Sequence, residues 1–357
     1  MSVPLLVVEN LTKTYASKSG LFRKSREARV VDDVSFILGR GEVFGLVGES
    51  GSGKSTIGRL VLRLIEADVG RIVFDGQDVR ALDAGSLRKL RRRMQIIFQD
   101  PFSSLDPRMR VGEALAEPIR LHRLRESAAV GTRVEELLRL VGLGPEAMGR
   151  YPHEFSGGQR QRIAIARALA VEPDLIVCDE PVSALDLSIQ AQVVNLLADL
   201  RAQLGVSYLF ISHDMAVVRH LATSVGVLYS GRIVESGPAE RIFADPRHPY
   251  TRMLLEASPI PVPREMSARK PMLGEPPSPY QTLPGCRFAS RCPHAVDPCR
   301  ASPPLLSAFD DGGRQAACIR AAELPPVALA SDDESLMSEA YRRRLALLRE
   351  ARAGRVS

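Results

Sequence analysis

The sequence predicts an α/β fold with a mostly parallel sheet at its core. Apolar runs alternate with stretches of helical spacing over most of the chain, as in sheets covered by helices on both faces. The runs at residues 43–47 and 175–178 are almost wholly apolar, which is typical of parallel strands buried on both faces. A glycine-rich segment, GESGSGKST, stands between the first of these runs and a helical stretch. We therefore expect a strand, a loop and a helix in direct succession.

That segment, residues 48–56, reads G-x-x-x-x-G-K-S, the pattern of a phosphate-binding loop. Its glycines allow successive N–H groups to point inward around an anion, and the following helix dipole favours negative charge. Lys54 is placed to reach the β- and γ-phosphates, and Ser55 to ligate Mg²⁺. A flexible glycine–serine turn does not account for strand, lysine and hydroxyl together. The fold class is therefore the P-loop NTPase (RecA-like) class. The predicted nucleotide-binding residues of the loop are Gly48, Glu49, Ser50, Gly51, Ser52, Gly53, Lys54, Ser55 and Thr56.

Composition narrows the class of protein further. The 357 residues suggest about two domains, and the hydrophobic (45%) and charged (25%) contents are ordinary for a protein with a large core. No apolar run approaches the roughly 18 residues that span a bilayer, and the N-terminus lacks a signal-peptide pattern, so we expect a cytoplasmic protein. A net charge of +6 suits nucleic acid, but the basic clusters at residues 88–93 and 342–344 lack interleaved aromatic residues. Solvated helix faces explain those clusters better.

The N-terminal part predicts an antiparallel β subdomain. Strands are expected at residues 3–10, 30–38 and 71–75, with Tyr15 just beyond the first strand. Residues 17–29 form a basic insert, interpreted as an exposed hairpin loop. Strands and helices continue to alternate later in the chain. A helix is predicted at 82–93, a strand at 94–98 that ends at Gln99, a strand at 206–211, and a hairpin of 225–229 with 232–235.

Between residues 101 and 152 the strands disappear, and residues 111–124 and 132–141 show helical spacing. With the helix that follows, this predicts an inserted helical subdomain over about 101–170. We see no internal repeat, so the chain carries one nucleotide-binding module. We place a cassette domain at residues 1–257, a proline- and cysteine-rich extension at 258–325 and a charged helix or tail at 326–357.

A lone P-loop does not choose among NTPase families, but the motif FSGGQ stands just upstream of the acidic pair Asp179–Glu180. With these motifs, residues 1–255 resemble the ATP-binding-cassette (ABC) ATPases. The resemblance implies that Asp179 holds Mg²⁺ with Ser55 and Gln99, and that Glu180 is the general base. It makes Tyr15 the adenine-stacking aromatic and His213 the switch histidine that contacts the γ-phosphate. It also implies a D-loop consisting of Ser183, Ala184, Leu185 and Asp186.

The signature segment carries its own chemistry, because its serine is suited to cap the following helix and that helix end presents free N–H groups to a phosphate. The segment comprises Ser156, Gly157, Gly158 and Gln159, after Phe155 in place of the family's commoner leucine. One module already has a P-loop, so a second phosphate-facing site is redundant within it. The family resemblance implies a head-to-tail pair in which each signature covers the partner's ATP.

Finer features resemble the ATPase subunits of bacterial dipeptide and oligopeptide importers. They are the Leu21-Phe22-Arg23 insert, QDPFSSLDPRMRV at 99–111, YPHEFSGGQRQ at 151–161, HPYT at 248–251 and the cysteine-rich segment. This branch implies a second, probably non-identical ATPase subunit, two transmembrane permease subunits, an extracytoplasmic substrate-binding protein, and a position at the cytoplasmic face of the inner membrane. The alternatives are an importer of another nutrient, such as nickel or glutathione, an exporter, or an ABC ATPase acting on nucleic acid, a partner we do not expect.

Four of the five cysteines fall within a short C-terminal segment, with 5, 6 and 18 residues between them. They are Cys286, Cys292, Cys299 and Cys318. Zinc sites usually contain Cys-x₂-Cys pairs, which are absent from this chain, whereas four thiolates at irregular spacing suit a 4Fe–4S cluster. Importers of the branch it resembles carry such a cluster. We expect iron–sulfur ahead of zinc and disulfides last in a reducing compartment. Cys178 is interpreted as a core residue.

Overall fold

The computed structural model describes residues 3–17, 26–100, 105–257, 274–281 and 283–325. The strands of these residues are β1 (Leu6–Ser17), β2 (Arg26–Leu38), β3 (Val43–Val47), β4 (Val69–Phe74), β5 (Gln77–Asp78), β6 (Met94–Ile97), β7 (Leu175–Asp179), β8 (Ser207–Ser212), β9 (Ser224–Tyr229), β10 (Arg232–Pro238), β11 (Ser307–Ala308) and β12 (Gln315–Ala316). They form two sheets, with orders β2-β1-β4-β5 and β11-β12-β10-β9-β3-β8-β7-β6.

The α-helices of the same residues cover the larger sheet and build the insertion. They are α1 (Lys54–Val61), α2 (Ala84–Arg93), α3 (Val111–Leu121), α4 (Val130–Leu140), α5 (Gly157–Leu169), α6 (Leu187–Leu204), α7 (Met215–Leu221), α8 (Ala239–Ala244), α9 (Pro249–Ala257) and α10 (Asp297–Ala301). Short 3₁₀ turns lie at Val79–Ala81, Ser127–Ala129, Pro145–Gly149 and Pro152–Glu154.

The larger sheet confirms the predicted parallel core. Neighbouring strands from β9 through β3, β8 and β7 to β6 are all parallel, and β10 joins β9 in the predicted antiparallel hairpin. Every residue of β3, β7 and β8 is buried, because helices cover both faces of these strands. The carboxyl ends of β3, β7 and β8 therefore lie at one edge of the sheet, where the P-loop begins.

The smaller sheet confirms the antiparallel subdomain but corrects the position of Tyr15. We predicted Tyr15 just beyond the first strand, whereas it lies inside β1, opposite Ala28 of β2. Strand β1 continues because β2 already begins at Arg26 and supplies pairing partners, so Ser17 and residues 26–29 of the predicted loop lie in strands; residues 18–25 lie outside the described residues. The Leu21-Phe22-Arg23 insert lies outside the described residues.

The helical insertion is present as predicted from its spacing. In α4 the residues Val134, Leu137 and Leu138 are buried together on one face, and α3 packs against the same helix. Helix α3 ends at Leu121, before the predicted 124, and contains Pro118 within its last turn. Residues 101–104 lie outside the described residues. Among the described helices, we find none with the length and apolar character to cross a membrane.

The extension is joined to the cassette through the larger sheet. Its strand β12 pairs with β10, with Ala316 opposite Glu235, and β11 pairs with β12 in turn. Phe288 of the extension lies in the main hydrophobic core, only 1% exposed. The predicted linker at 258–273 and the predicted charged helix after residue 325 lie outside the described residues.

Candidate functional site

The glycine loop between β3 and α1 lies against two other backbone segments. Gly53 has φ +107°, and a Cβ there would lie 2.5 Å from the carbonyl oxygen of Val30. A Cβ on Gly48 would lie 2.1 Å from the carbonyl oxygen of Leu228. Since no side chain fits at either position, this path of the loop requires glycine at both.

Lys54 stands at the first position of α1 with a side chain only 4% exposed. Its Nζ donates hydrogen bonds to the carbonyl oxygens of Gly48 (2.7 Å) and Glu49 (2.9 Å) and lies 3.9 Å from Oε1 of Glu180. Burial lowers the pKa of Lys54, and the charges of Glu180 and Asp179 oppose that effect. The ammonium group is therefore held at the loop by backbone carbonyls and balanced by nearby carboxylates.

Ser55 and Asp179 meet where α1 begins and β7 ends. The Ser55 hydroxyl donates to Oδ1 of Asp179 at 2.7 Å, and Asp179 is 5% exposed. Burial raises the pKa of Asp179, although the hydrogen bond from Ser55 opposes this. These are hard oxygen donors, which Mg²⁺ prefers, and Mg²⁺ usually completes its shell with water and substrate phosphates. The described residues contain no group of three or more His, Cys, Asp or Glu side chains that could hold a metal ion by themselves.

Glu180 and His213 follow adjacent strands and come into contact. Glu180 Oε2 lies 3.2 Å from Nδ1 of His213, and the Glu180 N–H donates to the carbonyl oxygen of Ile211 in β8. Glu180 adopts a left-handed backbone conformation, with φ +50°. This turn directs its carboxylate toward the sheet edge, with Oε1 toward Lys54 and Oε2 toward the histidine. The structure thus brings the predicted base and switch histidine together beside the P-loop.

Two further predicted site residues are exposed: Gln99 beyond a strand of the larger sheet, and Tyr15 in the smaller sheet. Gln99 comes two residues after β6, the strand that pairs with β7, and it is exposed. Tyr15 is 43% exposed on β1, with Lys13 Nζ 5.5 Å from its ring centroid. An exposed aromatic face of this kind is available for stacking.

The signature segment begins α5, and Ser156 is its N-cap, as predicted. The Gln159 N–H donates to the Ser156 hydroxyl (3.3 Å), and the Ser156 N–H donates to Oε1 of Gln159 (3.0 Å). This reciprocal capping box explains why serine and glutamine stand on either side of the two glycines. Gly157 is exposed, whereas a Cβ on Gly158 would lie 2.5 Å from Cγ2 of Ile189 in α6.

Residues 183–186, the predicted D-loop, lie between Glu180 and α6. The Ser183 hydroxyl donates to the Glu180 carbonyl oxygen at 3.1 Å, and Asp186 immediately precedes α6. Leu185 lies in ordinary contact distance of Gly157, 3.5 Å from the position of a Cβ there. Residues 183–186 therefore link the end of β7 to the signature segment.

The sequence analysis missed two residues that contact the P-loop. Arg291 makes a two-fold ion pair with the Glu49 carboxylate, and the Tyr250 hydroxyl accepts a hydrogen bond from the Glu49 N–H at 2.8 Å. Tyr250 belongs to the HPYT stretch and Arg291 to the cysteine segment, so both lay in stretches that we had singled out for other reasons. No local pattern pairs either with Glu49.

The four clustered cysteines line one cavity, together with Phe288 and other residues of the extension and α9. None is in a disulfide. Burial raises the pKa of Cys286 and Cys292, and raises that of Cys318 to about 11. The spacing predicted a shared site, and the four thiols line the same cavity, but the described residues contain no group of His, Cys, Asp or Glu side chains arranged to hold a metal ion. Cys178 is fully buried in β7, as predicted.

A glycine loop with a buried lysine, and a serine bonded to a strand-end carboxylate, define a P-loop nucleoside triphosphatase. Comparison with known proteins gives the family. Residues 31–183 match the ABC transporter family, and residues 234–299 match the oligopeptide/dipeptide transporter C-terminal region. A putative peptide import ATP-binding protein of Brucella ovis is 53% identical over 317 residues, covering 89% of this chain and 98% of the relative. A probable peptide ABC transporter ATP-binding protein of Sinorhizobium fredii is 48% identical over 336 residues, covering 93% and 95%.

Solved structures agree with this assignment. A dimeric ATP-binding cassette in a post-hydrolysis state with ADP and phosphate superposes with a TM-score of 0.58 at 29% identity, covering 66% of this chain and 98% of the other. The cbiO1 protein of Clostridium perfringens, part of an ABC transporter complex, gives a TM-score of 0.59 at 27% identity, covering 68% and 91%. The chain belongs to the ATP-binding proteins of ABC transporters, and it is an ATPase.

Proposed function

We propose that this chain is the ATP-hydrolysing subunit of an importer of dipeptides or oligopeptides. The observation that carries the proposal is the meeting of Lys54, the Ser55–Asp179 pair and the Glu180–His213 pair at one sheet edge. The match to the oligopeptide/dipeptide transporter C-terminal region and the names of the relatives support the substrate class.

In the proposed site, binding is divided among three regions. The exposed face of Tyr15 stacks on adenine, and the N–H groups of the glycine loop with Lys54 hold the phosphates. Ser55, Asp179 and Gln99 would hold Mg²⁺, which would supply positive charge to offset that of the phosphate oxygens. Lys54 is buried beside its own loop, so little side-chain entropy is lost when it binds phosphate.

Hydrolysis is assigned to Glu180 and His213. The Glu180 carboxylate orients a water for in-line attack and accepts its proton, while His213 donates a hydrogen bond toward the γ-phosphate. The contact between Oε2 of Glu180 and Nδ1 of His213 orients both side chains before substrate arrives. Positioning of this kind, more than covalent chemistry, accelerates phosphoryl transfer.

The signature residues 156–159 serve the ATP bound by a second ATPase subunit, which we propose is non-identical. Two permease subunits and an extracytoplasmic binding protein complete the assembly, and the chain lies at the cytoplasmic face of the inner membrane through the permeases. A solved cassette of the same fold is dimeric, which supports the pairing of two ATPase subunits. The ATPase pair closes on ATP and reopens after hydrolysis. These movements are transmitted to the permeases by contacts near Gln99 and the helical insertion.

The central test is Glu180→Gln. Glutamine keeps the shape of the side chain but does not accept the water proton, so we expect ATP affinity within about twofold of wild type and turnover lower by on the order of a hundredfold or more. Nucleotide binding and phosphate release are measured on the complex with its permeases. Glu240→Gln, at an exposed helix position, is the matched control and should hydrolyse normally. Near-normal turnover of Glu180→Gln would remove Glu180 as the base.

A second substrate is favoured by one comparison. The glutathione import ATP-binding protein GsiA of Salmonella paratyphi A is 53% identical over 273 residues, although these cover 44% of that longer protein. Reconstituted permeases and binding protein, supplied with a dipeptide, an oligopeptide or glutathione, distinguish the two. Stimulation of ATP hydrolysis by glutathione alone would replace the peptide assignment.

For the cysteine cavity we propose a 4Fe–4S cluster. Four thiols that line one cavity supply the ligand number of such a cluster, and their spacing lacks the Cys-x₂-Cys pairs usual in zinc sites. When bound, the cluster would cross-link the extension. Protein purified without oxygen should contain iron, sulfide and broad visible absorption. Cys292→Ser should lose them, whereas the control Cys178→Ser should retain them; stoichiometric zinc in colourless protein would overturn the assignment.

A further inference from the structure

The extension contacts the P-loop through a largely buried ion pair between Arg291 and Glu49. Both guanidinium nitrogens Nη1 and Nη2 of Arg291 lie 2.8 Å from the carboxylate oxygens of Glu49, the second residue of the GESGSGKS loop. The Arg291 side chain is 3% exposed and that of Glu49 is 18% exposed. Two parallel charge-assisted hydrogen bonds, shielded from water, fix the direction of the carboxylate as well as its distance.

Aromatic rings hold the arginine in this position. Its guanidinium carbon lies 5.8 Å from the ring centroid of Tyr229 and 5.7 Å from that of Phe288. Tyr229, Tyr250 and Phe288 also contact one another, with ring centroids 4.5 to 5.4 Å apart. The arginine is therefore held by aromatic packing as well as by the loop, and its planar, always charged group suits such a site better than a lysine.

Glu49 is restrained at three separate points. Its carboxylate accepts from Arg291, its N–H donates to Tyr250, and its carbonyl oxygen accepts from Lys54 at 2.9 Å. The hydrogen bond from Lys54 links the Arg291–Glu49 ion pair to the lysine of the proposed nucleotide site. Prolines of the extension, Pro276, Pro277 and Pro279, also line a cavity with residues 49–52, so the extension borders the loop on a second side.

The negative charge of Glu49 would oppose phosphate binding if no cation were paired with it. A carboxylate within a triphosphate-binding loop repels its ligand unless a cation neutralises it, and repulsion is strong where water is excluded. Arg291 supplies that cation from the extension, outside the cassette domain. We propose that Arg291 is a positioning residue of the ATP site, which holds the first turn of the P-loop in its binding shape and cancels the charge of Glu49.

This inference rests on the proposed ATP site and adds to it a role for the extension in nucleotide affinity. Arg291→Ala leaves a carboxylate unpaired beside the phosphates, so we expect KM and Kd for ATP to rise about tenfold or more, the size of a lost charge-assisted hydrogen bond. The value of kcat should change by less than about threefold, because Glu180 and His213 are untouched. Both constants are measured on the full chain in its complex, with the melting temperature recorded alongside.

The double variant separates positioning from general loosening. Glu49→Gln/Arg291→Ala removes the repelling charge, so it should bind ATP more tightly than Arg291→Ala alone, and Arg291→Lys should recover part of the affinity. The control is Arg314→Ala, since Arg314 is another largely buried arginine of the extension whose partners are Asp310 and Asp245. It should lower stability without raising KM.

The outcomes separate this inference from the proposed function. If Lys54→Ala binds ATP as wild type does, the ATP site itself is misassigned. If Lys54→Ala fails to bind while Arg291→Ala binds normally, only the role of Arg291 is refuted. An equal rise of KM in Arg314→Ala and Arg291→Ala would also refute it. Should Arg291→Ala fail to fold, Arg291→Lys decides the question, because lysine keeps the charge but loses the two-fold geometry, so KM for ATP should rise above that of Arg314→Ala; a KM equal to that of the control would refute the role.

Discussion

Lys54, Asp179 and Glu180 are charged side chains with little access to water. Their exposed fractions are 4%, 5% and 14%. Removal of charge from water is costly, and each group is balanced only in part by its neighbours. The site therefore holds charge in a state that Mg²⁺ and triphosphate complete, which is the arrangement expected of a preorganised active site.

Asp179→Asn should make the nucleotide-free protein more stable while it removes activity. Burial raises the pKa of Asp179, so its ionised form is disfavoured in the folded state, and asparagine still accepts the hydrogen bond from Ser55. We expect a gain of about 1 kcal/mol in the free energy of unfolding at neutral pH, together with loss of Mg²⁺-dependent hydrolysis. Urea denaturation without nucleotide measures the first, and phosphate release the second. A less stable variant would show that neighbouring groups fully offset the cost of burying the Asp179 carboxylate.

The meeting of these residues was predictable because parallel strands place their carboxyl ends at one edge. Asp179 and Ser212 end adjacent strands, so Glu180 and His213 had to lie near each other. The partner of Glu49 was not predictable. Arg291 lies 242 residues away and joins the loop only through tertiary packing, for which no periodicity or spacing gives a signal.

Helix α5, which begins at the signature residues 156–159, is positioned by its close contact with α6. Gly158 in the first turn of α5 faces Ile189 in the first turn of α6, where a Cβ would lie 2.5 Å from Cγ2. The helices approach closely enough that α6, which follows the D-loop, positions the N-terminus of α5. Signature and D-loop are in this sense one structural unit.

Gly158→Ala should separate the two helices. Alanine is more favourable than glycine inside a helix by up to about 1 kcal/mol, but overpacking against Ile189 costs about 1–3 kcal/mol. We therefore expect a net loss of stability. Ile189→Ala in the same chain makes room for the added methyl, and the double variant should recover part of the loss.

The control for that experiment is Gly157→Ala, because the nearest atom to its Cβ is Leu185 Cδ2 at an ordinary 3.5 Å. Its stability, measured by chemical denaturation, should stay within about 0.5 kcal/mol of wild type. Equal losses at positions 157 and 158 would mean that helix-end flexibility, and not contact with Ile189, explains the glycines.

Element types were predictable and element ends less so. The capping box at Ser156 fixed the start of α5 from residue chemistry alone. In contrast, β1 runs seven residues beyond its predicted end, because β2 provides partners as far as Arg26 and pairing outweighs local sequence. Arginines of α2 also do more than face solvent: Arg93 bridges Asp75 and Asp174.

On the scale of the molecule, Asp32 joins the smaller sheet, the larger sheet and the extension. Its Oδ2 accepts from Arg232 of β10 at 2.7 Å and from Arg287 of the extension, and its Oδ1 accepts from Arg29 at 3.2 Å. Its side chain is 4% exposed. Burial raises the pKa of Asp32, but the hydrogen bond from Arg232 and the charges of Arg287 and Arg29 outweigh it, so the pKa is lowered overall.

Asp32→Asn should cost about 3 kcal/mol at neutral pH, since it leaves buried arginines unpaired. The carboxylate is more acidic in the folded chain, so its stabilisation is present above its unfolded pKa of about 3.9 and is lost as pH falls through the folded value. The difference between wild type and variant should therefore be constant from pH 6 to 8, roughly, and shrink below about pH 4. Denaturant titrations across this range measure it. A difference that grows with acid would reverse the assigned sign.

The extension should unfold together with the cassette. Strand β12 continues the larger sheet, and Phe288 is 1% exposed in the main core, with its ring 5.3 Å from that of Tyr229. Phe288→Ala should cost about 3–5 kcal/mol and lower one shared calorimetric transition by several degrees. The control is Tyr280→Ala, an aromatic of the extension that is 48% exposed and should have little effect.

The form of the calorimetric trace decides between one cooperative unit and two. If Phe288→Ala splits the transition, with an early peak for the extension and an unchanged peak for the cassette, the two parts are separable and the shared sheet contributes little. A single peak displaced as a whole means that the core, the sheet and the Arg291–Glu49 pair unfold as one. Loss of nucleotide affinity on heating would then coincide with that peak, because the loop keeps its shape only while the extension is folded against it.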